Sequence, residues 1–170
     1  MYLGGSLSLS GNSLSPSGIC QAILNLKDLG SFDADHTTAD DSVATCLQQK
    51  PSLRVINLSH TGLDDRGAAQ LSRITTLEEV WLKETAITDA GVKSFRRLPR
   101  LAVLSLPVTL ITDKSAKDLA QIRSLRELFL GGTKITDQGI RDLSELPNLR
   151  TLFVPGCEGV TLNQTVSRNE

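Results

Sequence analysis

Apolar residues return along the chain at a constant spacing of 24 residues. The anchors of this repeat are Leu29, Leu53, Leu77, Leu101, Leu125 and Leu149. In most repeats an aliphatic residue also stands three and five positions after the anchor, as Val80 and Leu82 do after Leu77. Because strand side chains alternate between two faces, this spacing predicts a short strand with one buried face in each repeat.

A helical pattern follows each predicted strand. Apolar residues three positions apart, such as Leu119 and Ile122, indicate the inner stripe of a helix. A threonine or aspartate before each helix is a good N-cap, and the aspartate after it suits the positive end of the helix dipole. The third residue of each of four predicted helices is small, which we expect to allow close packing of neighbouring turns: Gly67, Gly91, Ser115 and Gly139.

The repeated unit of strand, turn, helix and return predicts an α/β fold. We expect a right-handed solenoid with a parallel β-sheet on its concave face and short helices on its convex face. Residues 1–160 are predicted to form one domain of about six to seven repeats, the first and last degenerate, and residues 161–170 a polar, frayed tail. The first repeat is displaced by one residue, with Ser15 as helix cap and Pro16 at the first helical position.

The unit L-x-x-L-x-L-x-x-T-x-I-T-D-x-G, best seen in Leu77–Gly91 and Leu125–Gly139, resembles the leucine-rich repeat family. It is more narrowly similar to the ribonuclease-inhibitor-like and cysteine-containing subclasses, and the resemblance covers roughly residues 4 to 160. In the second subclass a cysteine or asparagine is common where this chain has Thr37, Thr61, Thr85, Thr109 and Thr133. The family includes inhibitors, receptors and bacterial effectors, so the resemblance implies macromolecular binding without naming a ligand.

The charge of the chain limits the class of partner, and its cysteine content limits the cellular compartment. With 18 Lys plus Arg against 19 Asp plus Glu, the chain lacks the positive field of a nucleic-acid or anionic-membrane binder. No apolar run is long enough to insert in a membrane. The chain has an odd number of cysteines without C-x-x-C spacing: Cys20, Cys46 and Cys157. No signal peptide is evident. These features predict an intracellular, cytoplasmic protein.

Catalytic motifs are missing from the sequence. No nucleophile is tied by a motif to a histidine, and the chain has neither a glycine-rich phosphate loop nor H-E-x-x-H. We therefore predict a non-catalytic module without a cofactor.

The predicted binding surface consists of strand side chains that alternate with the buried ones. Three of the six aromatic residues, Trp81, Phe129 and Phe153, fall in one column of this concave face. Strands lie about 4.8 Å apart, which places Trp81 about 10 Å from Phe129 and leaves room for a partner group between them. The predicted site, with a polar rim around aromatic anchors, comprises Trp81, Phe129, Phe153, Val103, Glu79, Lys83, Glu127 and Asn57.

Other functions stay open at this point. The aromatic side chains could pack only against one another or against a flanking domain. The chain could be a structural or oligomerisation segment of a larger assembly, associating end to end through an uncapped first repeat. Recognition of a glycan or another polymer is a third alternative, since aromatic rings also stack on sugars.

Two clusters of charged or ligating side chains receive no functional assignment. His36 and His60 share one position in adjacent repeats and could reach one metal ion together with Asp35. Neither a motif spacing nor a residue placed to hold the imidazole rings supports this, so no metal site is predicted. The basic cluster of Lys93, Arg96, Arg97 and Arg100 is interpreted as solvated helix surface rather than a phosphate site.

Overall fold

The computed structural model describes residues 4–161 and 165–167, which form one sheet flanked by helices. Seven strands are parallel and lie in chain order, and an eighth is antiparallel. The strands are β1 (Gly5–Ser8), β2 (Leu29–Asp33), β3 (Val55–Asn57), β4 (Glu79–Trp81), β5 (Val103–Ser105), β6 (Glu127–Phe129), β7 (Thr151–Phe153) and β8 (Thr165–Ser167). The helices are α1 (Pro16–Leu24), α2 (Asp41–Leu47), α3 (Asp65–Leu71), α4 (Asp89–Ser94), α5 (Lys114–Leu119) and α6 (Asp137–Ser144).

Strands β2 to β7 pair in the register of the sequence repeat. Ile56 pairs with Val80, and Val80 pairs with Leu104, so residues 24 apart are neighbours across the sheet. The columns of apolar side chains therefore stack into one continuous core between sheet and helices, in which Val80 and Leu104 are fully buried. The predicted solenoid of alternating strands and helices is confirmed.

The first repeat is offset, as predicted. Leu7 pairs with Phe32, 25 residues away, because the register shifts between Gly5 and Ser6. The Ser15 side chain accepts a hydrogen bond from the Gly18 N–H, and Pro16 opens α1. The degenerate repeat thus keeps the strand and helix of the others.

The C-terminal segment differs from the prediction. Residues 165–167 form β8, which pairs with β7 in antiparallel fashion, so the prediction that the whole tail frays is wrong. Without β8, β7 would present unpaired backbone groups at the edge of the sheet. A polar composition did not reveal this pairing because backbone hydrogen bonds need no apolar side chain.

An aspartate–threonine clamp joins consecutive helix starts. Asp65 accepts hydrogen bonds from the Thr88 N–H (2.8 Å) and the Thr88 hydroxyl (2.6 Å) of the next repeat. The Thr88 hydroxyl oxygen also caps its own helix by accepting from the Ala90 N–H. The same contacts join Asp89 to Thr112 and Asp113 to Thr136. The predicted caps therefore also couple one repeat to the next.

The small residues near the helix starts make room for this clamp. A Cβ atom on Gly91 would lie 2.4 Å from Asp65 Oδ1, and one on Gly139 would lie 2.3 Å from Asp113 Oδ1. Where serine replaces glycine, the Ser115 hydroxyl donates to the Asp89 carboxylate. The predicted close approach is confirmed, and its cause is the carboxylate of the preceding repeat.

The threonine column satisfies turn carbonyls. Thr85 donates its hydroxyl to the Leu82 carbonyl oxygen at 2.8 Å, and Thr109 donates to Leu106 at 2.7 Å. Cys157 continues the column one repeat beyond Thr133, where its buried thiol donates to the Leu130 carbonyl oxygen. These contacts satisfy polar groups that the turns would otherwise bury unpaired.

The remaining two cysteines form a disulfide bond between the first two helices. Cys20 lies in α1 and Cys46 in α2, with their Cα atoms 5.7 Å apart. The odd number of cysteines and the missing C-x-x-C spacing did not reveal this bond, because adjacent helices of the solenoid bring together residues about one repeat apart. Since disulfides persist mainly in oxidising compartments, the bond removes the cysteine argument for a cytoplasmic location, which stays a prediction.

Candidate functional site

The concave face carries one continuous column of side chains across seven strands. Sheet pairing aligns Ser8, Asp33, Asn57, Trp81, Ser105, Phe129 and Phe153. Its C-terminal part is aromatic: Trp81 and Phe129 are half-buried, whereas Phe153 is 40% exposed. Parallel sheets usually have both faces covered, so exposed aromatic rings on one face are a notable feature of this surface.

The aromatic rings lie closer together than the strand spacing predicts. The ring centroids of Trp81 and Phe129 are 5.7 Å apart, not about 10 Å, and the rings stack at 27°. Ser105 lies between them and is only 4% exposed, because its short side chain lets both rings lean over it. Phe129 then meets Phe153 edge to face at 6.2 Å. The predicted gap between Trp81 and Phe129 is therefore wrong, and the three rings form one cluster.

Charged residues flank the aromatic cluster on a neighbouring column. Val103 pairs with Glu79 on one side and Glu127 on the other, and all three side chains are partly exposed. Within the described residues neither glutamate forms a salt bridge, while Lys83 Nζ lies 3.4 Å from Glu84 Oε1. The polar side chains predicted to form a rim thus stand beside the rings.

Two exposed apolar residues at the edge of the concave face were not predicted. Val108 is 51% exposed and Leu110 is 55% exposed, both in the loop between β5 and α5. Val108 has a φ of 54°, a left-handed conformation that β-branched residues rarely adopt. The sequence signal for this feature is the residue type of Val108, because the equivalent position in the next repeat is a glycine, Gly132.

The N-terminal part of the concave face is polar and brings together the two histidines. The Nδ1 atoms of His60 and His36 lie 2.7 Å and 2.9 Å from Asp35 Oδ1, and the imidazole rings stack at 3.7 Å. His60 Nε2 faces Glu84 Oε1 at 3.4 Å. Partial burial tends to raise the pKa of the Asp35 carboxyl, but hydrogen bonds and positive charge from both histidines outweigh it and lower that pKa. The structure thus brings together Asp35, His36 and His60, which the sequence places in adjacent repeats.

The basic residues on the convex side lie in two separate grooves. Lys93, Arg96 and Arg97 line one shallow groove, whereas Arg100 lines another with Glu78. Arg96 Nη1 also lies 3.1 Å from the carboxylate of Asp118. These side chains do not converge on a single point where a phosphate would bind.

No helix within the described ranges is both long and apolar enough to cross a membrane.

Two stretches of the sequence match a known repeat family. The family model described as Leucine Rich repeat matches residues 49–72 and 121–144. No curated protein matches the chain. The matched stretches each run from the end of one helix to the end of the next, through the strand between them.

Solved structures with the same fold include two internalins from Listeria monocytogenes. Internalin InlF is 17% identical, with a TM-score of 0.61 over 93% of this chain and 53% of its own. Internalin C2 is 20% identical, with a TM-score of 0.64 over 92% of this chain and 73% of its own. The chain thus spans about half of InlF and nearly three quarters of internalin C2. At these identities the likeness establishes the repeat fold that both proteins share with this chain.

Proposed function

We propose that this chain, which is built of leucine-rich repeats, is a non-catalytic protein-binding module whose partner docks on the concave face. The observation that carries this proposal is the exposed aromatic cluster of Trp81, Phe129 and Phe153. Aromatic anchors surrounded by a polar rim are the usual centre of binding energy in protein interfaces. The leucine-rich repeat fold, which is typical of binding modules, agrees with this role.

The stacking of the rings changes how a partner would engage them. Because Trp81 and Phe129 close over Ser105, a partner side chain would lie across the ring cluster instead of inserting between the rings. The mutual packing considered above therefore contributes to the site, since it holds large side chains rigid before binding and lowers the entropy lost on association. Asn57, Glu79 and Glu127 supply hydrogen-bonding and charged groups at its border.

The charges of the concave face favour a protein over a polyanion. Its outward columns include the acidic residues Asp33, Asp35, Glu79 and Glu127 but a single basic residue, Lys83. A nucleic acid or an anionic polymer would meet net repulsion there. A partner with one or two basic groups beside an apolar patch fits this surface best.

The test is affinity capture from an extract of the source organism with three immobilised proteins. A partner retained by the wild type should be lost with Trp81→Ala/Phe129→Ala, because removing an aromatic hot spot costs at least about 2 kcal/mol, or roughly 30-fold in affinity. A convex control, Lys117→Ala/Arg141→Ala, should retain the partner. Circular dichroism verifies that all three are folded, and equal retention by the aromatic variant would refute the proposed site.

Self-association is the second candidate function, favoured by a separate observation. Leu14 is 38% exposed and Leu24 is 45% exposed at the β1 end of the array, and β1 is an outer strand of the described sheet. A second copy could cover these side chains end to end. We expect light scattering coupled to size exclusion to show a mass that rises with concentration for the wild type and stays monomeric for Leu24→Glu. A monomeric wild type at all concentrations contradicts self-association and leaves the concave-face proposal untouched.

We also assign the repeats to the ribonuclease-inhibitor-like or cysteine-containing subclass. The support is the helix on the convex side of each repeat and the threonine column that ends at Cys157. This assignment concerns the type of repeat and does not alter the proposed binding face.

A further inference from the structure

The cluster of Asp35, His36, His60 and Glu84 contains the donor set of a metal site. One ligand atom from each of Asp35, His36 and His60 lies within 4.8 Å of the other two. Two imidazole nitrogens and a carboxylate oxygen are ligands that zinc and related transition-metal ions prefer. We propose that Nδ1 of His36, Nδ1 of His60 and a carboxylate oxygen of Asp35 bind one divalent transition-metal ion of the zinc class.

The distances between these atoms are close to those of a metal-bound set. Donor atoms around a tetrahedral zinc ion, with bonds of about 2.0–2.1 Å, lie roughly 3.3 Å apart. Both Nδ1 atoms now lie 2.7 Å and 2.9 Å from Asp35 Oδ1, the spacing of hydrogen bonds. Widening each of these distances by about half an ångström reaches the donor spacing around a zinc ion.

Glu84 supplies a carboxylate beside the outer ring nitrogen of His60, a contact that the sequence did not reveal. A histidine that binds metal through one ring nitrogen usually donates the N–H of the other to a carboxylate, which fixes the tautomer and the ring orientation. His60 Nε2 faces Glu84 Oε1 at 3.4 Å, on the side of the ring opposite Asp35. Glu84 therefore acts as a positioning residue for His60, and Asp35 is positioned in turn by its backbone N–H, which donates to Asp33.

The backbone at this site holds the side chains in an unusual conformation. His36, His60 and Glu84 have φ values of 54°, 53° and 52°, in the left-handed region. The same repeat position is glycine at Gly132 and Gly156, where no side chain opposes this conformation. Three consecutive repeats thus carry a ligating or positioning side chain where glycine fits more easily.

The exposure of the ligands leaves a coordination position open. The His60 side chain is 18% exposed, whereas that of His36 is 61% exposed. An ion bound here is therefore held on its inner side by the protein and faces solvent on its outer side. Water or a group from another molecule can supply the fourth ligand, as in zinc sites with three protein ligands.

The chain is well suited to a direct test, because it contains two histidines and both belong to this cluster. Untagged full-length protein, kept non-reduced so that the Cys20 and Cys46 thiols stay paired, is dialysed against Zn²⁺ alone, and bound zinc is measured by atomic absorption. We expect one zinc ion per chain. His36→Asn and His60→Asn should each lower the affinity at least about tenfold, and Glu84→Ala about tenfold through its effect on His60.

The variants are chosen to preserve the backbone. Asparagine tolerates the left-handed conformation, so the two histidine variants should fold, and circular dichroism verifies this. Val108→Asn is the matched control, because it places the same side chain at the same repeat position outside the cluster and should leave zinc binding unchanged. A wild-type chain that takes up no zinc overturns the proposal, as does zinc uptake undiminished in the His36→Asn/His60→Asn double variant.

Discussion

Replacing Leu106 by aspartate should split the solenoid into two parts that unfold separately. Leu106 is fully buried in the middle of the array, between Leu82 and Leu130 of the same column. Losing a buried leucine costs about 2–5 kcal/mol, and burying an unpaired carboxylate adds several more. Because each repeat contacts only its neighbours, the lesion uncouples the repeats on either side. Thermal unfolding followed by circular dichroism should lose its single cooperative transition.

The control for this experiment keeps the volume of the side chain. Leu106→Met should lower the free energy of unfolding by less than about 1.5 kcal/mol and retain a single transition. Hydrogen exchange should show that in Leu106→Asp the strands next to position 106 lose protection first. Cooperative, wild-type-like melting of Leu106→Asp would contradict the stacked core.

Removing the carboxylate of Asp89 should release the clamp between two repeats. Asp89 accepts hydrogen bonds from the Thr112 N–H, the Thr112 hydroxyl and the Ser115 hydroxyl. Hydrogen bonds to a charged group contribute about 1.5–3 kcal/mol each, and donors left unsatisfied add a desolvation cost. Because Asp89 is partly exposed, water can replace part of this bonding, and we expect Asp89→Ala to lower the free energy of unfolding by at least about 3 kcal/mol, measured by urea denaturation. Asp118→Ala, which removes one exposed ion pair with Arg96, should cost no more than about 1 kcal/mol.

The pH dependence of stability gives a second measurement of the same clamp. Burial tends to raise the pKa of Asp89, but the hydrogen bonds from Ser115 and Thr112 outweigh it and hold that pKa below its ordinary value. The folded state therefore gains stability from ionised Asp89 above the unfolded pKa, and loses it as pH falls through the lower folded pKa. The difference between wild type and Asp89→Ala should narrow below about pH 4. A difference that stays constant down to acidic pH would show that ionisation of Asp89 does not contribute.

The repeat fold was predictable because each structural role recurs at a fixed position. Leu104 and Val80 are buried where the period places them, and Thr88 caps its helix where the motif places it. The disulfide was not predictable from C-x-x-C spacing, since Cys20 and Cys46 are 26 residues apart. Contacts between adjacent helices join residues 22 to 26 positions apart, as Arg96 and Asp118 also show. Examining the cysteines against the repeat length would have revealed the pair.

The candidate site was predictable in its residues and less so in its geometry. Strand alternation correctly placed Trp81 and Phe129 in one column of the same face. Strand spacing, however, fixes only the distance between backbones and does not determine the direction in which the side chains tilt. The small Ser105 between the two rings allows them to tilt toward each other. Likewise, Glu84 stands one repeat after His60, yet its contact with the imidazole ring depends on a left-handed backbone that composition does not reveal.

The clamp makes the repeats interchangeable at their junctions. The same connector occurs four times in succession and joins Asp65 to Thr88, Asp89 to Thr112, Asp113 to Thr136 and Asp137 to Thr161. A tandem duplication or deletion of one unit between these junctions would again place an aspartate against a threonine. The array can therefore change its length during evolution without compensating substitutions, while the outward side chains of each copy diverge independently to recognise new ligands.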